Sequence, residues 1–471
     1  MINPILNTDS YKTSHHLQYP PRTQRMFSYA ESRGGLYDRT QFFGLQAILK
    51  QEFCTPVTRA HVEEAAELLP AHGLPFNRAG WELLIDRHGG RLPLEIRAID
   101  EGAVVPTHNA MMTVINTDPD FWWLPSYVET ALLRVWYPVT VATISWHARQ
   151  AILDALVRTA DDPLGELPFK LHDFGARGVS SDASAALGGL AHLVNFKGTD
   201  TLSAILAARR LYNEPMAGFS IPAAEHSTIT SWGREHEVDV YANMVAQFGR
   251  PGGIFAVVSD SYDIFNAVEH LWGEVLRQKV IDSGATLVVR PDSGDPVTIV
   301  AQTLALLAER FGTTTNSKGY RVLNHVRVIQ GDGVDPVSIR AILERIVADG
   351  FSASNLAFGM GGALLQRLDR DTQKFAYKTS AAEVDGRWRD VFKDPVTDAG
   401  KRSKRGLLGL SFRHDGWRTV PVDAERFQPL DGGTNLLKPV YRDGRMLTDR
   451  ALADVRAVAA AYDLHAERVP A

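Results

Sequence analysis

Apolar and polar positions change rhythm along the chain. Up to about residue 120, short apolar runs alternate with aromatic and turn residues, and Leu94 to Asn116 predicts strands around a turn at Gly102. From Phe121 to about Ala160, apolar residues recur at helical spacing through Leu132, Leu133, Val135, Trp136, Ile144, Trp146, Ile152 and Leu156. This predicts one or two bridging helices, broken at Pro138.

From Phe169 a different grammar repeats: a short apolar run, a polar or glycine-rich turn, then a helical segment. The turns contain Asp173, Asp200, His226, Asp260, Asp292, Asp332 and Gly361, spaced 26 to 40 residues apart. That is the length of a βα unit. Asp295-Pro296 and Asp335-Pro336 each offer an N-cap acid followed by proline at the first helical position. Seven such units predict an α/β fold with an irregular parallel βα barrel, an open doubly wound sheet being the alternative. After Thr372 the chain returns to short strand-like pieces, with Gly386, Gly400 and Gly416 in turns and a helical tail from Arg450 to Tyr462. The expected organisation is a β-rich N-terminal domain with bridging helices over 1–165, a βα barrel over 166–372, and a segment over 373–471 that returns in part to the β-rich domain.

Composition narrows the functional classes. At 471 residues and 45% hydrophobic, the chain can build two domains, or one barrel with a large addition. A net charge of −5 does not favour a nucleic-acid partner, so any phosphate chemistry must rest on local basic clusters. Cys54 is the only cysteine, which excludes an internal disulfide or a cysteine-rich metal centre and points to a reducing cytoplasm. Asp9 and Lys12 interrupt what would be a signal peptide's apolar core, and no apolar run is long enough to span a bilayer, so no membrane partner is expected.

In barrels the loops after the strands carry the chemistry. Gly359, Gly361 and Gly362 precede a helical segment, where backbone amides can approach a phosphate; glycine pairs also serve turns for conformational reasons alone. Arg177, Arg290 and Arg370 offer planar forks for phosphate oxygens, and Lys378 and Lys393 mobile charges. Asp292 and Asp332 can accept from sugar hydroxyls, meet magnesium through water or stabilise developing positive charge, whereas Asp295 and Asp335 are read as helix caps. His226 is a candidate nucleophile or phosphate ligand, with a structural role as the alternative. Neither GxxxxGK[ST] nor HExxH occurs, and the KRSKRG stretch from Lys401 is read as a solvated loop, with contact to a phosphate as the alternative.

Taken in order, TDSYK from Thr8, HDFGARGVSS, HLVNFKGTDT, IPAAEHSTIT, VVSDSYD, RPDSGDP, NSKGY, QGDGVD, FGMGGALLQ, VFKDP and KRSKRG closely resemble the nicotinamide phosphoribosyltransferases, a type II phosphoribosyltransferase family. The resemblance runs from about residue 8 to 406. It implies an irregular α/β barrel with a β-rich domain assembled from both chain ends, working as a homodimer with shared active sites. The implied reaction condenses nicotinamide with 5-phosphoribosyl 1-pyrophosphate to nicotinamide mononucleotide and pyrophosphate, with Mg2+ and with ATP as co-substrate through phosphorylation of His226. It implies that nicotinamide lies between Phe174 and the other subunit's copy of Tyr11, with Asp200 and Ser220 near its amide. Arg177, His226 and Arg290 are implied at the pyrophosphate, Asp292, Gly331 and Asp332 at the ribose, and Gly361 and Gly362 at the 5′-phosphate. Arg33, Arg370, Lys378 and Lys393 are implied at phosphates shared across the dimer. Ala176, Ala376 and the short segment after Arg33 depart from the family pattern.

A nicotinate phosphoribosyltransferase is the nearest rival; Asp200 argues against it, since a carboxylate facing a substrate carboxylate repels it. A noncatalytic sugar-phosphate-binding protein has no use for the Asp292, Asp332 and His226 set. A metal-dependent barrel hydrolase is weakened by the lack of paired histidine ligands.

Overall fold

The computed structural model describes residues 3–397, 402–414 and 416–464. The chain divides into two compact units, one comprising Met1–Thr143, Arg210–Asn213 and Asp369–Tyr462, the other Ile144–Arg209, Glu214–Leu368 and the chain end from Asp463. The boundaries thus fall at 143 and 368, and the helix Trp136–Thr159 contains the first of them. This is a single helix, where a break at Pro138 was expected. Proline is tolerated there because the first turn of a helix has no intrahelical acceptor for the missing N–H.

The first unit is built on a seven-stranded antiparallel sheet from both ends of the chain. Across it lie Arg387–Asp390, Phe375–Val384, Thr23–Ser32, Ala110–Asn116, Leu94–Ala98, Lys438–Arg442 and Arg445–Met446. Its core is aromatic: Trp81 stands edge-on to Trp123 at 4.8 Å and to Tyr127 at 5.2 Å, arrangements that suit the ring quadrupoles.

The second unit holds the parallel strands foreseen in the turn spacing. Six of them, Gly198–Thr199, Leu171–Asp173, Leu356–Met360, Val326–Gln330, Thr286–Arg290 and Ile254–Val258, form one curled sheet in that order. The two edges are joined by an extended segment that makes only isolated bridges. Phe219 pairs with Gly198 on one side and Ala223 with Ala256 on the other, through Thr199 N to Phe219 O at 3.0 Å and Ala224 N to Ala256 O at 3.0 Å. The ring is therefore an irregular βα barrel whose seventh position is barely a strand. Ile254–Val258 and Leu356–Met360 read as continuous apolar runs, the pattern of strands covered on both faces. Ala256, Val288 and Ile329 pack inside with Phe174, Ile221 and Ala357.

Candidate active site

All seven anticipated turns follow ring positions, so their side chains converge at one end of the barrel, where parallel strands deliver their C-terminal residues. A cavity of about 830 Å³ opens there, lined by Phe174, Arg177, Asp200, His226, Arg290, Asp292, Gly331, Asp332, Gly361 and Gly362, together with Glu225 and Arg367. Ser220 reaches this group by donating to Asp200 Oδ1 at 2.6 Å.

His226 opens the helix His226–Thr230 and is about half exposed. Its Nε2 meets Asp260 Oδ1 at 3.0 Å and its Nδ1 stands 3.9 Å from Asp292 Oδ2. A carboxylate only accepts, so Nε2 is the donor in this contact and Nδ1 is turned away from Asp260. Asp260 does more than orient the ring. Its Oδ2 accepts from Asp292 N at 3.0 Å and from Ser293 Oγ at 2.6 Å, tying the histidine to the next βα loop. The sequence reading placed Asp260 in a turn and gave it no role; its position at a strand end beside His226 was the available signal.

Arg290 ends its strand with Nη2 3.8 Å from Asp292 Oδ2 and with Nε buried and unpartnered among the described residues. A buried guanidinium nitrogen without an acceptor is costly, so this site is suited to an incoming anion.

Phe174 depends on Gly359, whose lack of a side chain has a purpose other than approach to phosphate. A Cβ there would lie 1.9 Å from Phe174 Cε2, so the ring occupies the space that any other residue needs. Gly361 and Gly362 keep the predicted opportunity, because a Cβ at Gly362 would meet nothing within 4 Å. Beneath them, Asp173 is buried and accepts from Gly175 N at 2.7 Å. Burial pushes its carboxyl up to about 6, the nearby Asp200 charge adding to the effect while the Thr201 and Thr199 hydroxyls and Gly175 N–H oppose it.

Tyr11, Arg33, Arg370, Lys378 and Lys393 belong to the other unit. Tyr11 is exposed, with its ring edge-on to His15 at 5.0 Å, and Arg370 pairs with Asp371 at 3.1 Å. Lys378 donates to Tyr377 O at 2.8 Å. KRSKRG differs from a wholly solvated loop. Arg402 pairs with Asp394 at 2.9 Å and Arg405 sits 5.3 Å from the Phe392 ring, but Lys404 turns inward to the buried Glu31; Lys401 and Gly400 lie outside the described residues. The caps are as anticipated, Asp295 accepting from Thr298 N at 2.9 Å and Asp335 from Val337 N at 2.9 Å and Ser338 N at 2.8 Å.

Comparison with known proteins agrees with this architecture. The nicotinate phosphoribosyltransferase (NAPRTase) family matches residues 169–443, and the N-terminal domain of nicotinamide phosphoribosyltransferase matches residues 3–96. A nicotinamide phosphoribosyltransferase of Xanthomonas campestris is 63% identical over 98% of this chain and 99% of its own. Another, of Acinetobacter baylyi, is 32% identical over 97% and 96%. Among solved structures, a nicotinate-nucleotide pyrophosphorylase of Pyrococcus furiosus shares the fold with a TM-score of 0.60 at 17% identity, covering 99% of this chain and 96% of that one. Human nicotinic acid phosphoribosyltransferase does so with a TM-score of 0.53 at 17% identity, covering 96% and 93%. By the extent of the family match and the identity to whole-length relatives, the chain belongs to the nicotinate and nicotinamide phosphoribosyltransferase family of pentosyltransferases.

Proposed function

We propose that this protein transfers the phosphoribosyl group of 5-phosphoribosyl 1-pyrophosphate to nicotinamide, giving nicotinamide mononucleotide and pyrophosphate in NAD salvage. The observation that carries the choice of base is Asp200, a cavity-lining carboxylate held by Ser220 at 2.6 Å. It can accept from an amide N–H and repels a carboxylate. Phe174 offers an aromatic face in the same cavity.

Displacement at the anomeric carbon builds positive charge on the sugar and negative charge on the departing pyrophosphate. Asp292 and Asp332 suit the first, and Arg177, Arg290 and the Gly361–Gly362 backbone suit phosphate oxygens. The pyridine nitrogen already carries a lone pair, so no base has to activate it. Mg2+ is expected to arrive on the pyrophosphate. Among the described residues no cluster of three or more His, Cys, Asp or Glu side chains forms a metal cage. Asp292 and Asp332 suit the one or two carboxylates such an ion uses beside substrate phosphates, where it would neutralise charge on the leaving group.

The reading extends to ATP hydrolysis coupled through phosphorylation of His226, for which Nδ1, the ring nitrogen not engaged by Asp260, is the suited atom. It extends also to a cytoplasmic homodimer in which Tyr11, Arg33, Arg370, Lys378 and Lys393 complete the sites. No helix among the described residues is long and apolar enough to cross a membrane. The test is incubation of purified protein with 5-phosphoribosyl 1-pyrophosphate, magnesium and either nicotinamide or nicotinate, with and without ATP. Nicotinamide mononucleotide is the expected product; nicotinate mononucleotide alone, or no nucleotide, overturns the reading.

A further inference from the structure

The antiparallel-sheet unit gathers cations around one buried acid. Strand Thr23–Ser32 brings Tyr29 and Glu31, two residues apart, to the same face, and Arg33 follows at its end. Glu31 is 2% exposed and holds two cations, its Oε1 accepting from Arg33 Nε at 2.8 Å and its Oε2 pairing with Lys404 Nζ. Lys404 also donates its backbone N–H to Tyr29 Oη at 2.9 Å, with its ammonium 5.9 Å from the centre of that ring. The segment carrying it is fastened to Lys393, which donates its N–H to Ser403 Oγ at 3.0 Å and accepts from Ser403 N at 3.1 Å. Lys378 stands opposite Tyr29 in the neighbouring strand. Burial pushes its ammonium below the usual lysine range, Glu129 opposing and the charges of Arg33 and Lys393 adding to the shift.

This arrangement leaves positive charge unanswered. Arg33 Nη2 is buried and makes no hydrogen bond among the described residues; the Tyr29 hydroxyl lies beside it without the geometry of one. Buried guanidinium donors are normally satisfied, so an open position beside this cluster of cations suits an acceptor that arrives with a ligand. The chemistry that fits is a phosphate oxyanion, which a planar fork and nearby ammonium groups bind together.

We infer that Glu31 is a positioning residue that holds Arg33 and Lys404 as two arms of one oxyanion site for a phosphate group, completed by Lys378 and Lys393. This rests on the functional reading above for Arg33, Lys378 and Lys393; Lys404 and the role of Glu31 are added by the structure. An acid inside an anion site costs attraction, yet it fixes two flexible cations that would otherwise repel each other. With four cations against Glu31, and Glu129 acting on Lys378, the balance stays positive while the geometry is set before the ligand arrives.

The test is calorimetric titration of the full-length protein with inorganic pyrophosphate. Lys404→Met is expected to weaken binding about fivefold, while Lys404→Arg stays within about twofold of wild type. Glu31→Gln is expected to weaken it about tenfold in the wild-type background and less than about twofold when Arg33 is already Met, because it acts through that arginine. Unchanged affinity in Lys404→Met, or unchanged or tighter binding in Glu31→Gln, overturns the inference. Lys404 is partly exposed, so its variants keep the test valid if Glu31→Gln does not fold. The titration needs no nicotinamide. Failed nucleotide synthesis with these affinity losses therefore removes only the functional reading, and successful synthesis with flat titrations removes only this inference.

Discussion

Two loops of the barrel are built on the same local grammar and end in different chemistry. The loops after Thr286–Arg290 and Val326–Gln330 each carry an aspartate, then three residues later a second aspartate followed by proline. In both, the second aspartate caps the following helix and the first lines the cavity. Asp292 is held from every side, its N–H by Asp260, its carboxylate 3.8 Å from Arg290 and 3.9 Å from His226. For Asp332 the contact is through its backbone carbonyl, which accepts from Gln330 Nε2 at 2.7 Å. The difference comes from the neighbouring strand. Ile254–Val258 lies beside the first loop's strand and delivers Asp260, whereas Leu356–Met360 lies beside the second and delivers glycines. One carboxylate is preorganised; the other is placed but left to adapt to its ligand.

The largest expected effect removes what the two loops share. Phe174 packs on Gly359 and also approaches Gly331, where a Cβ would lie 3.4 Å from its ring and 3.6 Å from Asp292 Oδ1. Gly359→Ala forces the ring from its place and is expected to lower kcat/KM for nicotinamide about a thousandfold, since misplacement at a reacting centre is expensive. Full activity in this variant would show that Phe174 does not form a wall common to both loops.

Next comes a strand-end acid unlike either loop acid. Asp173 is sealed, and its folded value near 6 lies above the 3.8 of an ordinary aspartate. As pH rises from about 4 to 6 the unfolded chain releases this proton first, so Asp173 costs stability over that window, about 3 kcal/mol in full, and the cost persists above it. Asp173→Asn is therefore expected to gain stability relative to wild type as pH rises through the window, with the difference level above it. Denaturant melts at a series of pH values check this, and a difference independent of pH would show that the carboxyl ionises freely in the fold.

The contrast between the loops is then tested directly. Asp292→Asn disturbs a charge fixed by Arg290 and His226 and is expected to lower kcat about tenfold more than Asp332→Asn, which instead raises KM for the phosphoribosyl donor. Steady-state kinetics on both substrates decide it, and the reverse ordering breaks the distinction between held and adaptable carboxylates.

Much of this was legible in the sequence because it is local. Turn spacing predicted all seven ring positions, and the Asp-Pro pairs predicted both caps, since each depends on residues within one unit. What escaped depends on pairing between distant segments. The spacing placed Phe219–Ala224 in the ring, but not that it closes the ring by isolated bridges to two edges instead of as a regular strand. Asp260 gains its importance from a histidine 34 residues away, and Gly359 from a ring in the loop after Leu171–Asp173. Lys404, in a run of basic residues that reads as solvated, finds Glu31 373 residues away.

The smallest effect concerns the half of the grammar that the loops share, and here the asymmetry reverses. Asp335 accepts from two backbone donors, Val337 N and Ser338 N, and Ser338 Oγ in return accepts from Asp335 N at 2.9 Å, which closes a capping box. Asp295 accepts from one backbone donor, Thr298 N, and from the Thr298 hydroxyl, which water can satisfy equally well. Replacing a cap acid with alanine costs about 1 kcal/mol, mostly for helix N–H groups left without an acceptor. Asp335→Ala is accordingly expected to cost more stability than Asp295→Ala, with kcat unchanged in both, because neither side chain lines the cavity. Denaturant melts beside steady-state rates separate the two quantities. Equal costs would show that the second backbone donor held by Asp335, Val337 N, adds nothing, and a drop in kcat in either variant would show that capping also sets the position of the aspartate three residues earlier.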